Sequence, residues 1–318
     1  MTVYCMGEAL IDFTPERFED NEVISYRKNV GGAPLNVATS IARLGESSSF
    51  LSQLSKDSFG QYIYESLREN GVLVDRLDLS SSYKTGLAFV NWDENRNRSF
   101  SFYRKDAADL MYSREDFSFF TREDILHFCS VNLVDSKAKL SHKRAIEEMR
   151  RKGGLVSFDP NLRFNLWEDQ EELYQTVNEF LSGADLVKIA DDELFFITRK
   201  KDEKEAFNYL FDKGISLIVY TQGEKGISLI SRENSYFGPA YSLDVVDTTG
   251  AGDASIGAFL YNLSKDKIGK DDLVSYVDKN HDYLLSFSNG VAGLTTTKVG
   301  ALDGLPYLKE VKDLLENK

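Results

Sequence analysis

The sequence predicts an α/β protein: a largely parallel central sheet flanked by helices, with a small antiparallel β lid. Three observations carry this. From about residue 121, short apolar runs alternate with stretches of helical length, the pattern of βαβ units and a parallel sheet. Residues 76–104 instead hold strand-like runs with no helix between them, which reads as an antiparallel piece. A small-residue loop at 247–253 then feeds a helix whose apolar residues Ile256, Phe259, Leu260 and Leu263 recur at i, i+3, i+4 and i+7.

Bulk properties narrow the partners. The 318 residues are 42% hydrophobic, with 21 Phe and 16 Tyr, enough for a large core. A formal charge of −13 argues against nucleic acid or an anionic membrane as the main partner. Cys5 and Cys129 sit in apolar strand-like stretches without metal-ligand spacing and read as small buried hydrophobes. No basic-plus-apolar leader and no apolar run approaching about 18 residues is present, so a cytoplasmic protein is expected.

In chain order, Val3 to Met6 begins a strand that passes Gly7-Glu8 and continues from Ala9 to Phe13, interrupted by Asp12. Residues 14–30 are charged and irregular, with a short strand at 23–27. Gly31-Gly32-Ala33-Pro34 opens a helix over 35–44 that Gly45 stops. A strand is expected at 49–54. Ser58-Phe59-Gly60-Gln61 fits a capping box for a helix ending at Gly71. Strands at 77–79, 86–92 and 98–103, the last two joined by the polar turn Asp93 to Asn97, form the candidate lid. The core should then run through strand 128–134, helix 137–152, strand 155–158, helix 170–182, strand 186–189, helices 191–199 and 203–213, and strand 216–220. A hairpin at 227–230 and 235–237 follows, then the helix beginning near Gly250 and helices over 271–293 and 306–316. The expected division is a core of 1–12, 31–76 and 107–318, and a lid of 13–30 and 77–106.

In an open parallel sheet, ligands gather at the carboxyl ends of the strands. Asp12, Asp159, Lys188 to Glu193 and Thr221 to Gly226 all fall there, on the edge where 250–253 would also lie. Gly250 and Gly252 leave the backbone uncrowded at a helix N-terminus, a ready anion site, although an ordinary tight turn fits the loop alone. Ser255 stands three residues after Gly252, so the dinucleotide fingerprint G-x-G-x-x-G is not met, and no Walker A pattern occurs. Asp253 would repel a phosphate unless it had chemical work; a proton acceptor beside a phosphoryl group is the constellation of a kinase acting on a hydroxyl.

Asp247-Thr248-Thr249-Gly250-Ala251-Gly252-Asp253 resembles the C-terminal signature of the PfkB, or ribokinase-like, family of sugar kinases. Gly31-Gly32-Ala33-Pro34-Leu35-Asn36-Val37-Ala38 is similar to that family's N-terminal motif. The segments 7–15, 158–163 and 294–301 are similar to its bacterial fructokinase branch. The resemblance implies a ribokinase-like fold and an ATP-dependent phosphotransferase, with fructose going to fructose 6-phosphate. A 2-keto-3-deoxygluconate kinase, or another hexose or sugar-acid kinase, is the alternative, and an inactive sugar sensor of the same fold is the rival from another class.

Residue by residue, the resemblance makes Asp253 the base and Gly250, Ala251 and Gly252 the anion hole. Asp12, Gly31, Gly32 and Asn36 would hold the sugar. Arg104 would touch the sugar or the transferring phosphate, and Phe89 and Tyr103 would wall the ring or pack the lid. Arg163 would give electrostatic support or be a plain surface arginine. Lys188, Thr221, Gly223, Gly226 and Asn289 would contact ATP, and Glu193 would order Mg2+ through water. Relatives often carry a polar residue where Ala190 stands, so the metal role falls on Glu193 or a neighbouring aspartate. Asp247 and Thr249, with 297–301, would sit where many relatives hold a monovalent cation such as K+. Relatives also pair lids, so a homodimer is expected.

Overall fold

The computed structural model describes residues 1–19, 22–92 and 98–316; the expected turn at Asp93–Asn97 lies outside them. In chain order the elements are β1 (Val3–Met6), β2 (Leu10–Glu19), β3 (Glu22–Gly31), α1 (Ala33–Leu44), β4 (Ser48–Leu51), β5 (Gln53–Ser55), α2 (Ser58–Glu69), β6 (Asp78–Ser80), β7 (Gly86–Trp92) and β8 (Arg98–Tyr103). Then come β9 (Ile125–Cys129), α3 (Lys137–Lys152), β10 (Leu155–Asp159), α4 (Gln170–Leu181), β11 (Leu186–Ala190), α5 (Asp191–Thr198), α6 (Glu203–Asp212), β12 (Leu217–Thr221), β13 (Gly226–Ile230) and β14 (Ser235–Pro239). The described chain closes with α7 (Ala251–Lys265), α8 (Leu273–Thr295), α9 (Ala301–Gly304) and α10 (Leu308–Glu316).

Eight strands form the central sheet in the order β14-β13-β12-β11-β10-β9-β1-β4. β4 through β12 in that order are mutually parallel, and β13 and β14 add an antiparallel edge. Side-chain alternation puts neighbouring residues into opposite cores. Leu155, Leu186, Leu217 and Val219 join the cluster shared with α1, α7 and α8. Val156, Val187, Ile218 and Tyr220 join the cluster beneath α3 to α6. Burial on both faces is why these strands read as continuous apolar runs. Cys5 and Cys129 are buried and unbridged. No helix of the described residues is long and apolar enough to cross a membrane.

The second sheet has the order β3-β2-β7-β8, two antiparallel pairs joined by a parallel β2–β7 pairing. Here the expectation of an irregular, charged 14–30 is corrected: its described residues, 14–19 and 22–30, belong to two ten-residue strands. One face of β3 is open to solvent, so its polar residues alternate with half-buried ones rather than breaking the strand. Phe89 stacks on Phe13 with ring centroids 4.9 Å apart, and Phe13 meets Phe59 of α2 edge-on at 5.9 Å, docking the lid on the core.

Other expectations shift. The strand expected at 128–134 is Ile125–Cys129, because backbone pairing to β1 and β10 ends at Cys129 and the chain turns at Ser130. The run at 49–54 divides into β4 and β5, and the expected lid strand at 77–79 pairs instead with β5 in a separate two-stranded sheet. Helix α2 is capped one residue earlier than the capping box implied: the Asp57 carboxylate accepts from the Phe59 and Gly60 amides.

Candidate active site

Two helices start side by side at the carboxyl edge of the sheet. Helix α7 emerges from the turn that Asp247 organises. Its Oδ1 accepts from the Thr249 amide at 2.8 Å and the Thr249 hydroxyl at 2.7 Å, while Oδ2 accepts from the Gly300 amide at 3.0 Å. Gly250 has φ 82°, and a Cβ there would lie 2.7 Å from that of Ala301, so both conformation and space require glycine. The N-cap of α7 is Gly250, which makes no side-chain cap hydrogen bond. The Ala251 amide donates to the Thr248 carbonyl at 3.3 Å, which leaves the following first-turn amides as the donors of an anion site.

Asp253 lies in that first turn, and it joins the two motifs. Asn36, in the first turn of α1, donates its side-chain amide to Asp253 Oδ2 at 2.8 Å across 217 residues of sequence. Asn36 Oδ1 makes no hydrogen bond among the described residues, leaving a buried acceptor beside Asp253. Burial raises the Asp253 carboxyl above the ordinary range; the Asn36 bond, Lys188 and Arg163 pull it back. Close packing holds the helices in register, since a Cβ on Gly257 would lie 2.7 Å from that of Ser40.

Asp12 comes from β2, opposite the Gly31-Gly32 turn that precedes α1. A Cβ on Gly31 would lie 2.1 Å from Asp12 Oδ2, so the glycine gives that carboxylate its place. Burial pushes Asp12 up to about 6, against the pull of Arg163 and Arg104. Arg163 is exposed, its guanidinium donates to the Leu162 carbonyl, and its field reaches both Asp12 and Asp253. Arg104, the residue after β8, is buried: it pairs with Asp109 and donates to Asn132 at 2.6 Å. Its Nη2 is thus taken by core partners, while its Nε makes no hydrogen bond among the described residues and its charge acts on Asp12 and Glu8.

Lys188 lies against the first turn of α7. Its Nζ would be 3.2 Å from a Cβ on Gly252, and it pairs with Asp159 at 3.2 Å. Burial alone would lower this lysine, but Asp159, Glu193 and Asp253 outweigh it and hold the ammonium charged. Burial raises Asp159 in turn, against the attraction of Lys188.

Further along the edge, Glu193 accepts from the Leu162 amide at 2.6 Å and the Ala190 amide at 3.0 Å. Both of its oxygens are thus engaged, and among the described residues no group of three His, Cys, Asp or Glu side chains is placed to hold a metal. Asp159 and Glu193 are the carboxylates on this edge that would hold a hydrated divalent cation. Thr221 ends β12 half-buried, and Gly223 opens the tight turn after it with φ 55°. Gly226 and Asn289 are tied to scaffold: a Cβ on Gly226 would meet the Gly238 carbonyl at 2.1 Å, and Asn289 donates to the Gly238 and Leu285 carbonyls. In the lid, Phe89 is half-buried and meets Tyr26 and Tyr103 edge-on, with Tyr103 67% exposed.

Four buried residues of this region carried no role in the sequence reading: Glu8, Asp109, Asn132 and Asp159. Asp159 stood in a noted motif at a strand end. Glu8 fell within the segment 7–15 but, like Asn132, has partners remote in sequence, and the Asp109–Arg104 pair spans an irregular turn that no periodicity marks.

An open helix N-terminus, a buried carboxylate and a lysine beside it, and a polar recess across from them define a phosphoryl-transfer enzyme of the α/β class. Residues 2–307 match the pfkB family carbohydrate kinase description, and the chain belongs to that family. It is a phosphotransferase with an alcohol group as acceptor, in the ribokinase-like fold. Fructokinase-2 of Zea mays is 34% identical over 319 residues, covering 98% of this chain and 93% of that protein. The fructokinase of Vibrio cholerae O395, in its fructose, ADP and calcium ion bound form, superposes with a TM-score of 0.88 at 33% identity, covering 99% of this chain and 98% of that one. The aminoimidazole riboside kinase of Salmonella enterica, complexed with aminoimidazole riboside and an ATP analog, gives 0.87 at 30% identity, covering 99% and 100%.

Proposed function

We propose that the protein is an ATP-dependent fructose kinase that forms fructose 6-phosphate with Asp253 as base. The observation that carries this reading is the 2.8 Å bond from Asn36 to Asp253, which brings a hydroxyl-binding amide and a proton acceptor together at the foot of an uncapped helix. Asp12, Asn36 and the Gly31-Gly32 backbone hold the sugar so that its 6-hydroxyl faces Asp253. Asp253 takes the hydroxyl proton as that oxygen bonds to the γ-phosphorus and the bond to the ADP oxygen breaks. Charge developing on the transferred group is met by the Gly250–Gly252 turn, the first-turn amides of α7 and the Lys188 ammonium. Magnesium would neutralise phosphate charge near Asp159 and Glu193. The Thr221–Gly226 turn and the Asn289 region support the nucleotide.

The Asp247 turn, tied to Gly300, suits the expected potassium site, and the exposed Ile24, Tyr26 and Tyr103 of the lid suit a homodimer. Two buried, unbridged cysteines and ATP dependence suit the cytoplasm. The test is an ATP-consumption screen over fructose, ribose, mannose, glucose, 2-keto-3-deoxygluconate and aminoimidazole riboside. Fructose should give the highest kcat/KM, with phosphate at position 6 in the product; preference for another acceptor overturns the assignment.

A further inference from the structure

Glu8 lies in the bend between β1 and β2, 2% exposed, and grips the sugar-side turn twice. Its Oε1 accepts from the Ala33 amide at 2.8 Å. Its own carbonyl oxygen lies 2.3 Å from where a Cβ on Gly32 would be, so the two backbones touch. Helix α1 needs this grip. Its N-cap is Gly32, no hydrogen bond from the N-cap side chain closes it, and its first turn holds no acidic residue. We propose that Glu8 is a positioning residue for the sugar, a carboxylate supplied from 25 residues upstream that caps α1 and so fixes Gly31, Gly32 and Asn36.

This rests on reading the α1 N-terminus as the sugar side of the active site. The coupling is direct, because Ala33 follows Gly31-Gly32 and the Asn36 amide donates to the Gly32 carbonyl at 2.9 Å. Asn36 in turn holds Asp253. An uncapped first turn frays, and fraying here would loosen three sugar ligands while leaving the nucleotide end of the sheet in place. The second oxygen of Glu8 makes no hydrogen bond among the described residues. Burial pushes the carboxyl up to about 7, Arg104 draws it down and Asp109 opposes Arg104.

Two variants of the full chain separate the cap from mere core filling. Glu8→Ala deletes the acceptor, whereas Glu8→Gln keeps an oxygen that can accept from Ala33. With fructose and ATP, Glu8→Ala should raise the fructose KM at least about tenfold with the ATP KM within about twofold, and Glu8→Gln should stay within about threefold of the parent. Amide exchange over 31–37 should quicken in Glu8→Ala and be restored in Glu8→Gln. Equal changes in both KM values, no change in either, or a glutamine variant as impaired as the alanine would overturn the proposal. If Glu8→Ala fails to fold, Glu8→Gln still decides: unprotected amides at 31–37 in that variant overturn it. A parent protein that turns over no fructose refutes the substrate reading alone, because the exchange experiment needs no turnover.

Discussion

Helices α1 and α7 begin in nearly the same way and are used in opposite ways. Each follows a glycine turn at the carboxyl edge of the sheet, neither has an N-cap side-chain bond, and each carries one functional side chain in its first turn. At α1 the protein's own Glu8 carboxylate takes an orphan amide. At α7 the N-cap makes no side-chain bond, and the acid of its first turn, Asp253, accepts from Asn36 instead. The free amides and the dipole of a helix N-terminus attract an anion wherever they occur. What differs is whether the chain fills that demand itself. A filled N-terminus is rigid and can orient a neutral polyol; an unfilled one can receive a phosphoryl group.

The contrast can be broken from either side. The largest effect should come from α7: Asp253→Asn should leave sugar and ATP binding largely intact while lowering kcat at least ~100-fold, the usual span for losing a general base. Near-normal turnover, measured with binding by calorimetry alongside, would remove Asp253 from the chemistry. A smaller and differently shaped effect is expected across from it. In Gly31→Ala the new methyl would displace the Asp12 carboxylate, raising the fructose KM about tenfold, the scale of a lost charged hydrogen bond, with the ATP KM unchanged. A shift in the ATP KM instead would mean that the two ends are not separate.

The mildest test is pH. Asp12 is pushed up to about 6 and Asp253 is also raised; Asp253 must be ionised to take the hydroxyl proton, and Asp12 must be ionised to present both oxygens as acceptors. Since both are raised, kcat/KM for fructose should be full above neutrality and fall as pH drops through about 6. An acid limb near the ordinary carboxylate value would show that burial does not govern these groups.

The same contrast explains what was legible in the sequence. The α7 turn announced itself because glycine, glycine and an acid at close spacing have few ordinary uses, and most core strands announced themselves as unbroken apolar runs. The lid hairpin did not. Pro15, Glu16 and Arg17 lie on half-buried or exposed positions of β2, where one wet face licenses residues that break a buried strand. β9 was misplaced towards 134 because Val131 and Leu133 are buried apolar residues of the loop beyond it, continuing the strand's hydrophobicity after its pairing has stopped. The Asp57 and Glu8 caps were missed for opposite reasons: Asp57 stands one residue from a plausible alternative, and Glu8 caps a helix across a hairpin that sequence spacing cannot cross.

The bond between Asn36 and Asp253 has a temporal meaning as well. During synthesis Asn36 emerges early, while Asp253, the proposed base, emerges more than two hundred residues later and is placed only when α7 packs on α1. A chain arrested between them would carry half a recess and no proton acceptor. With Asp253 as the proposed base, phosphoryl transfer is withheld from partly made protein, and competence arrives in one step, when α7 closes on α1.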